Sequence, residues 1–186
     1  MKHMLIPALL LGPALAMFNA SAATTKTPVV VNGGSIHFTG QVVNAACSVN
    51  ASSADMTVQM GQVRTVTLGS AGATGSTVPF SIILDNCDTS VSGNVSVAFS
   101  GTTVSGSPTI LSLGGSSNSS ASNLGVQILD RTGAPVTFDG ATWSAQNVLH
   151  DGRNYIPFQA RYIGVGSGGA VAGDAAADAN FSVQYQ

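Results

Sequence analysis

The sequence predicts an all-β protein, an antiparallel sandwich, and two observations lead to this fold class. Short alternating or β-branched runs recur between glycine, serine and asparagine residues, while helical periodicity is almost absent. No strand–helix–strand pattern can be recognised, which argues against a parallel α/β enzyme scaffold. The runs with the length and spacing of strands are residues 35–43, 56–60, 63–68, 78–86, 94–99, 124–129, 155–163 and 180–185.

The first residues have the pattern of a secretory signal peptide. Lys2 is followed by an apolar run over residues 4–17 and then by Ala20-Ser21-Ala22, the small-x-small pattern of a cleavage site. A membrane anchor is the alternative, but the run falls short of the roughly 20 apolar residues that span a bilayer. We therefore predict that residues 1–22 are removed on export. The remaining residues, 186 less 22, have the size of one domain.

The charge of the exported chain limits its partners. Without Lys2, five of the six lysines and arginines remain against eight acidic residues, a net charge of −3. Nucleic acid and anionic membranes are therefore not predicted partners. Charged residues make up only 8% of the chain, so serine, threonine, asparagine and glycine must cover much of the surface. Such a surface is only weakly repelled by copies of itself, which suits assembly and also fits a secreted, protease-resistant domain.

Two cysteines, Cys47 and Cys87, remain in the exported chain and predict one disulfide. In the chain-entropy model a closed loop of this length removes unfolded-state entropy equivalent to about 4 kcal/mol. A metal pair or redox site is the competing interpretation. The sequence contains no CxxC motif and no histidine near either cysteine, so we favour a structural bridge.

Both ends of the exported chain alternate as strands do. Near the amino end, one face of the predicted strand would consist of Gly34, Ile36, Phe38, Gly40 and Val42. Residues 24–33 before it are predicted to be a flexible lead.

At the carboxyl end Phe181, Val183 and Tyr185 share one parity, and Gly173 is the fourteenth residue from Gln186. A chain with a packed last strand and a detachable first strand can join copies of itself end to end. The pattern therefore indicates a polymer subunit rather than an enzyme.

The possible catalytic and cofactor motifs are weak. Residues 164–169 satisfy GxGxxG, but no helix pattern follows, as dinucleotide binding requires. His37 and His150 have no acid or nucleophile at a triad spacing, and neither GxSxG nor HExxH occurs, which disfavours a hydrolase. The aspartates are scattered, so we predict no metal and no cofactor. Trp143 is predicted to fill the core rather than to stack on a sugar.

Several segments carry a family resemblance. Residues 33–47, GGSIHFTGQVVNAAC, resemble the amino-terminal region of the major subunit of type 1 fimbriae, which chaperone–usher pathways assemble. The chain looks similar from about residue 32 to residue 186, most specifically in the ending with Tyr185 and in the position of Gly173. The other similar segments are residues 61–65, 86–88, 125–133, 139–143 and 157–162.

The resemblance implies an incomplete immunoglobulin-like antiparallel sandwich that a donor strand from a neighbouring subunit completes. Residues 1–22 would be the signal peptide, 23–43 the donor-strand extension and 44–186 the pilin domain. Gly34, Ile36, Phe38, Gly40 and Val42 would form the donor strand. The residues implied for the strand beside the acceptor groove and for chaperone capture are Gly173, Phe181, Val183 and Tyr185.

The resemblance also implies partners and a location. These partners are identical subunits in a homopolymer, a periplasmic pilus chaperone, an outer-membrane usher and minor pilins. The subunit would pass through the periplasm to a fimbrium on the cell surface. The alternatives are a minor or adaptor pilin, a tip adhesin, a secreted carbohydrate-binding module or a secreted hydrolase. A tip adhesin needs a receptor-binding domain before its pilin domain, and the exported chain has the length of only one domain.

Overall fold

A computed structural model describes residues 28–40, 42, 44–114 and 120–186. The predicted signal peptide and the first residues of the lead lie outside this part of the chain. The molecule divides into two units, Met1–Gly40 and Gln41–Gln186. The described part of the first unit, residues 28–40, contains neither helix nor strand. No helix among the described residues has the length and apolar character needed to cross a membrane.

The second unit consists of two antiparallel sheets. One has six strands in the order β1-β2-β9-β6-β5-β4, and the other has the order β10-β3-β7, with β8 also paired to β3. A short helix, α1 (Ala51–Ala54), and a 3-10 helix, Thr65–Leu68, accompany them. The strands are β1 Ser48–Val49, β2 Val78–Cys87, β3 Asn94–Ser100, β4 Thr103–Val104, β5 Ser107–Ser112, β6 Leu124–Leu129, β7 Asp139–Trp143, β8 Asn147–Val148, β9 Gly152–Gly164 and β10 Asn180–Tyr185.

The predicted runs over β2, β3, β6, β9 and β10 are confirmed as strands. The runs over residues 56–60 and 63–68 are wrong, because the first has no strand and the second ends in the 3-10 helix. Residues 35–40 and 42 also form no strand. A strand exists only where a neighbouring strand accepts its hydrogen bonds, and alternation alone does not supply that neighbour.

The core lies between the sheets and is built from alternate residues of the long central strands. Ile82 and Leu84 of β2, Val95 and Val97 of β3 and Phe158 of β9 are almost completely buried. Each such side chain contributes roughly 1.5–3 kcal/mol through burial. The alternation in the sequence therefore corresponds to the inward face of each sheet.

The predicted disulfide joins Cys47 to Cys87 across 40 residues of sequence. Both cysteines are buried within the core cluster. The bridge attaches the segment before β1 to the end of β2.

The glycine motif at residues 164–169 has a packing role. Gly164 ends β9, and a Cβ atom there would lie 2.5 Å from the carbonyl oxygen of Ser70. Its N–H donates to the carbonyl of Ala73 at 2.8 Å, and its own carbonyl accepts from Gly72 at 2.9 Å. No helix follows this turn in the described chain, so the helix that a dinucleotide fingerprint requires is missing here.

Several aspartates organise turns by accepting hydrogen bonds. The Thr142 hydroxyl, with backbone N–H groups of Thr142 and Ala141, lowers the pKa of Asp139 to about 2. Burial raises the pKa of Asp130, but hydrogen bonds from Thr132, Ala145 and Ala134 outweigh it and lower the pKa overall. Arg153 pairs with Asp85 at 2.6 Å and lowers the pKa of that carboxyl. Hydrogen bonds from Thr89 likewise lower the pKa of Asp151.

These lowered pKa values predict loss of stability in acid. A carboxyl whose pKa is lower in the folded than in the unfolded chain contributes its full stability above the unfolded pKa, near 3.8. That contribution disappears as the pH falls through the folded pKa, which is about 2 for Asp139. Denaturant unfolding followed by circular dichroism should show that the denaturant concentration at the midpoint falls as the pH is lowered through this window. The fall should be smaller for Asp139→Asn. A midpoint that rises on acidification would contradict the prediction.

Candidate functional site

An apolar groove opens into the core of the second unit. It has a volume of ≈ 640 Å³, and its rims are residues 56–62 on one side and residues 175–179 on another. The lining core residues are Phe80, Ile82, Phe99, Leu111, Val126, Ile128, Ala160, Tyr162 and Phe181.

Stacked aromatic rings connect the two sheets at this groove. Phe80 and Phe158 stack with ring centroids 5.7 Å apart, and Phe158 meets Phe99 edge-on at 5.0 Å. Phe99 continues to Phe181 of β10 at 6.5 Å. Aromatic pairs at these separations add attraction beyond burial of their area. The groove therefore has a rigid, apolar floor suited to aliphatic or aromatic side chains.

The strand β10 forms one open edge beside the groove. It pairs with β3 from Asn180↔Ser100 to Tyr185↔Val95, and no strand lies on its other side in the described chain. Gln186 and Asn94 exchange both backbone hydrogen bonds at 2.9 Å. Hydrogen-bonded and non-hydrogen-bonded residue pairs alternate along an antiparallel ladder. Because Gln186 is in a hydrogen-bonded pair, the N–H and C=O groups of Phe181, Val183 and Tyr185 point away from β3, to the open edge.

The predicted carboxyl-terminal residues occupy two different places. Phe181, Val183 and Tyr185 are partly buried and pack against the core cluster, and Phe181 also lines the groove. Gly173 lies in an exposed bend of the loop between β9 and β10. It therefore belongs to neither β10 nor the groove lining, and its part in chaperone capture stays a prediction.

The buried Tyr162 and the partly buried Tyr185 make hydrogen bonds near the groove. The Tyr185 hydroxyl donates to the carbonyl of Cys47 at 3.2 Å, which ties β10 to the disulfide segment. The Tyr162 hydroxyl donates to the carbonyl of Ala175 at 2.9 Å, at the groove rim. Burial raises the pKa of both phenols, so both remain protonated donors at neutral pH.

The predicted donor residues are exposed. Ile36 is 80% exposed, Phe38 90% and Val42 fully exposed. Gly34 has a φ of +131°, and nothing lies within 4 Å of a Cβ atom built on Gly40. Large apolar side chains at such exposure need a partner surface to become buried. Their role as a donor strand stays a prediction at this point.

The rim formed by residues 56–62 was missed as part of the site, although the sequence contained the signal. Met56, Val58 and Met60 are half-buried, whereas Thr57 and Gln59 are exposed. This is the alternation of a strand in a segment that pairs with no strand in the described structure. Residues 56–60 thus have the alternating burial of a strand but no neighbouring strand to pair with.

His150 and Trp143, which the sequence analysis considered for catalysis and for sugar stacking, are both exposed. His150 is exposed, and its backbone N–H donates to the Asn154 side chain at 2.9 Å. Within the described residues, no group of three histidines, cysteines or acidic residues can hold a metal ion. Trp143 is 38% exposed on β7, so its predicted position in the core is wrong. The strand β7 is the edge of its sheet, and every one of its residues is exposed.

The disulfide-bonded sandwich, the open apolar groove and the strand edge beside it define the incomplete immunoglobulin-like fold of chaperone–usher pilus subunits. Residues 36–186 match the sequence model of the family described as Fimbrial protein. The chain belongs to this family.

Curated relatives and solved structures agree with this assignment. The Escherichia coli type-1 fimbrial protein, A chain, is 55% identical over 174 residues, covering 93% of this chain and 94% of the relative. The type 1 fimbrial subunit of Klebsiella pneumoniae is 53% identical over 92% of this chain and 93% of its own length. The crystal structure of the P pilus rod subunit PapA has a TM-score of 0.66 at 29% identity, covering 76% of this chain and 100% of that chain. A chaperone–usher pilus structure has a TM-score of 0.67 at 29% identity, covering 86% and 100%.

Proposed function

We propose that this chain is a structural subunit of a fimbrial shaft and that it polymerises by donor-strand exchange. In this mechanism Gly34, Ile36, Phe38, Gly40 and Val42 of one copy enter the groove of the next copy. The observation that carries the proposal is the apolar groove beside an unpaired strand edge. We propose no enzymatic activity and no cofactor. Nucleic acid is not a proposed partner.

The energetics of the proposed joint are favourable. Burial of Ile36, Phe38 and Val42 would contribute roughly 1.5–3 kcal/mol each. Backbone groups of Phe181 and Val183 point to the open edge of β10 and could accept a new strand. Each ladder hydrogen bond would add about 0.5–1.5 kcal/mol net. Such β-strand addition reads alternate side chains of the incoming strand in successive pockets.

The alternation of the rim at residues 56–60 supports a strand placed between that rim and β10. Residues 56–62 and Phe181 of β10 line the same groove, and Met60 and Phe181 both pack against the core cluster. A strand inserted there would complete the sandwich on both sides. Gly34 and Gly40 have no side chains and suit the shallow places of such a groove.

Deleting Thr39 tests the parity that this mechanism requires. A one-residue deletion reverses the facing of part of the strand, so Gly40 and Val42 would no longer align with Ile36 and Phe38. We expect the deletion to abolish or severely reduce surface rods counted by electron microscopy. Deletion of Thr25 in the lead is the matched control and should leave rod number unchanged. Equal rod counts for the two deletions would contradict donor-strand exchange through these residues.

We also propose that a periplasmic chaperone covers the groove before assembly and that an outer-membrane usher delivers the subunit to the surface. An apolar groove and an unpaired strand edge would otherwise cause aggregation. The chaperone would lend a strand to the Phe181–Tyr185 edge. The subunit would reach the fimbrium through the periplasm, and minor pilins would be further partners in the same fibre.

Substitutions at Tyr185 test chaperone capture. Tyr185→Ser removes the ring from the core and the hydrogen bond to Cys47, so periplasmic subunit and co-purified chaperone should both fall several-fold. Tyr185→Phe is the control, because it keeps the ring and loses only a hydrogen bond of about 1 kcal/mol. Immunoblotting of periplasmic extracts measures both variants. Unchanged capture of Tyr185→Ser would overturn the proposed role.

A minor or adaptor pilin of the same fold is the second candidate. The identity to type-1 fimbrial A chains extends over 93% of this chain, which favours the shaft subunit. Abundance distinguishes the two, because a shaft subunit should be the main protein of purified fimbriae.

A further inference from the structure

Asn32 and Gly33 form an exposed Asn-Gly pair in the amino-terminal extension. This is the single Asn-Gly dipeptide of the whole sequence. Both residues are exposed, and the described segment around them, residues 28–40, has no helix or strand. We propose that Asn32 is a site of spontaneous deamidation that converts it to aspartate and isoaspartate.

The reaction needs only this chain and water. The backbone nitrogen of Gly33 attacks the side-chain carbonyl carbon of Asn32, and a new C–N bond closes a five-membered succinimide. The bond from that carbon to Nδ2 breaks, and ammonia leaves with the proton lost from the Gly33 nitrogen. Water then opens the ring at either carbonyl. Opening at the side-chain carbonyl breaks the new C–N bond and gives aspartate. Opening at the backbone carbonyl breaks the original peptide bond, so the chain runs through the side chain as isoaspartate.

The local structure favours ring closure at this position. A Cβ atom built on Gly33 would have nothing within 4 Å, so the peptide has room to rotate. Glycine also reaches backbone conformations that other residues rarely adopt. Among the described residues, neither the Asn32 side chain nor the Gly33 N–H makes a hydrogen bond that would hold it away from the reacting geometry.

Other asparagines are not followed by glycine, and some also have side chains held by hydrogen bonds. The Asn123 amide donates to the carbonyl of Gly169 at 3.0 Å, and a leucine follows it. The Asn154 amide donates to the carbonyl of His150 at 2.7 Å, and Tyr155 follows it. Asn44 is exposed but precedes Ala45, whose methyl group hinders attack. Asn44 therefore serves as an internal reference in the same molecule.

The modification would change charge without changing the spacing inside the proposed donor strand. Conversion adds one negative charge per subunit at residue 32, two positions before Gly34. Isoaspartate adds one methylene to the main chain, but only before Gly33. The chain from Gly34 to Cys47 keeps its length, so the alternation of Ile36, Phe38 and Val42 is unaffected. Deamidated subunits are therefore expected to remain competent for assembly.

Peptide mapping by mass spectrometry tests the proposal on the purified exported protein, incubated at mildly alkaline pH and body temperature. The peptide with Asn32 should gain the mass of an amide-to-acid change at least an order of magnitude faster than the peptide with Asn44. Its product should include isoaspartate, detected by isoaspartyl methyltransferase labelling. Gly33→Val should slow the conversion at least tenfold, because a β-branched side chain restricts the backbone and blocks the attacking nitrogen.

Three results would overturn the proposal: conversion of Asn32 no faster than that of Asn44, an unchanged rate in Gly33→Val, or aspartate without isoaspartate. Asn32→Gln should stop the mass change at this peptide, and a mass change that persists there would place the modification elsewhere. None of these measurements requires polymerisation. Failure of the deamidation proposal is therefore distinguishable from failure of donor-strand exchange.

Discussion

Replacing Phe38 with aspartate is expected to abolish assembly of the subunit into rods. Phe38 is 90% exposed in the chain, and its burial in a neighbour's groove would be a main source of binding free energy. The groove floor consists of the rings of Phe80, Phe99 and Phe181. Placing a carboxylate there without a partner costs several kcal/mol beyond the loss of the ring. The joint should therefore fail to form rather than merely weaken.

His37→Asp is the matched control for this experiment. His37 is the adjacent residue, is equally part of the exposed segment and lies on the opposite parity. The same charge at this position should be tolerated. The measurements are heat-resistant ladders on denaturing gels and rod counts by electron microscopy. Normal assembly of Phe38→Asp, or failure of His37→Asp alone, would mean that the wrong face or the wrong strand has been assigned.

Removing the disulfide should be the most damaging change within the domain itself. The Cys47–Cys87 bridge closes a loop with a sequence separation of 40, and its loss should destabilise the fold by about 4 kcal/mol in the chain-entropy model. A domain of ordinary stability has only about 5–15 kcal/mol in total. The double variant Cys47→Ala with Cys87→Ala should therefore fall to a small fraction of the wild-type level in periplasmic extracts.

Reductant provides the internal control, because the sequence contains no other cysteine. It should lower the denaturant midpoint of the wild-type subunit and leave the midpoint of the double variant unchanged. Intact-mass analysis after thiol alkylation should find no labelled cysteine in the exported protein. Two labelled thiols in that protein, or equal wild-type midpoints with and without reductant, would contradict this account.

The sequence predicted β2, β3, β6, β9 and the edge strand β10, but it missed β5, which lies between β6 and β4, and the edge strand β7. In β9 buried and exposed residues alternate from Asn154 to Ala160, and in β2 Ile82 and Leu84 are buried between less buried neighbours, so alternation in the sequence matches burial there. In β3 all residues from Val95 to Phe99 are buried. The strands β1, β4 and β8 have only two residues each and are too short to show a period. The exposed edge strand β7 has no buried face to mark it, which also explains the wrong position for Trp143.

Prediction of the candidate site was limited because alternation in a sequence shows which residues share a face but not which segments are neighbours. Phe181, Val183 and Tyr185 could be assigned to one face because their alternation is regular. Residues 56–60 of the rim were predicted as an ordinary strand, because a sequence shows alternation but not whether a neighbouring strand is present. The opposite rim at residues 175–179 is a run of small residues with no period, and only the three-dimensional structure places it at the groove.

The separation of the open edge of β10 from the residues proposed to fill it has a consequence for symmetry. The contact joins two different surfaces, so it is heterologous and cannot close on itself as a two-fold dimer does. Repeating such a contact produces a directional filament in which every internal copy both donates a strand and accepts one. One terminal copy then has an unfilled groove and the other an unused extension. A fibre built by the proposed donor-strand exchange would therefore have chemically distinct ends, and its initiation and termination would be separate recognition events.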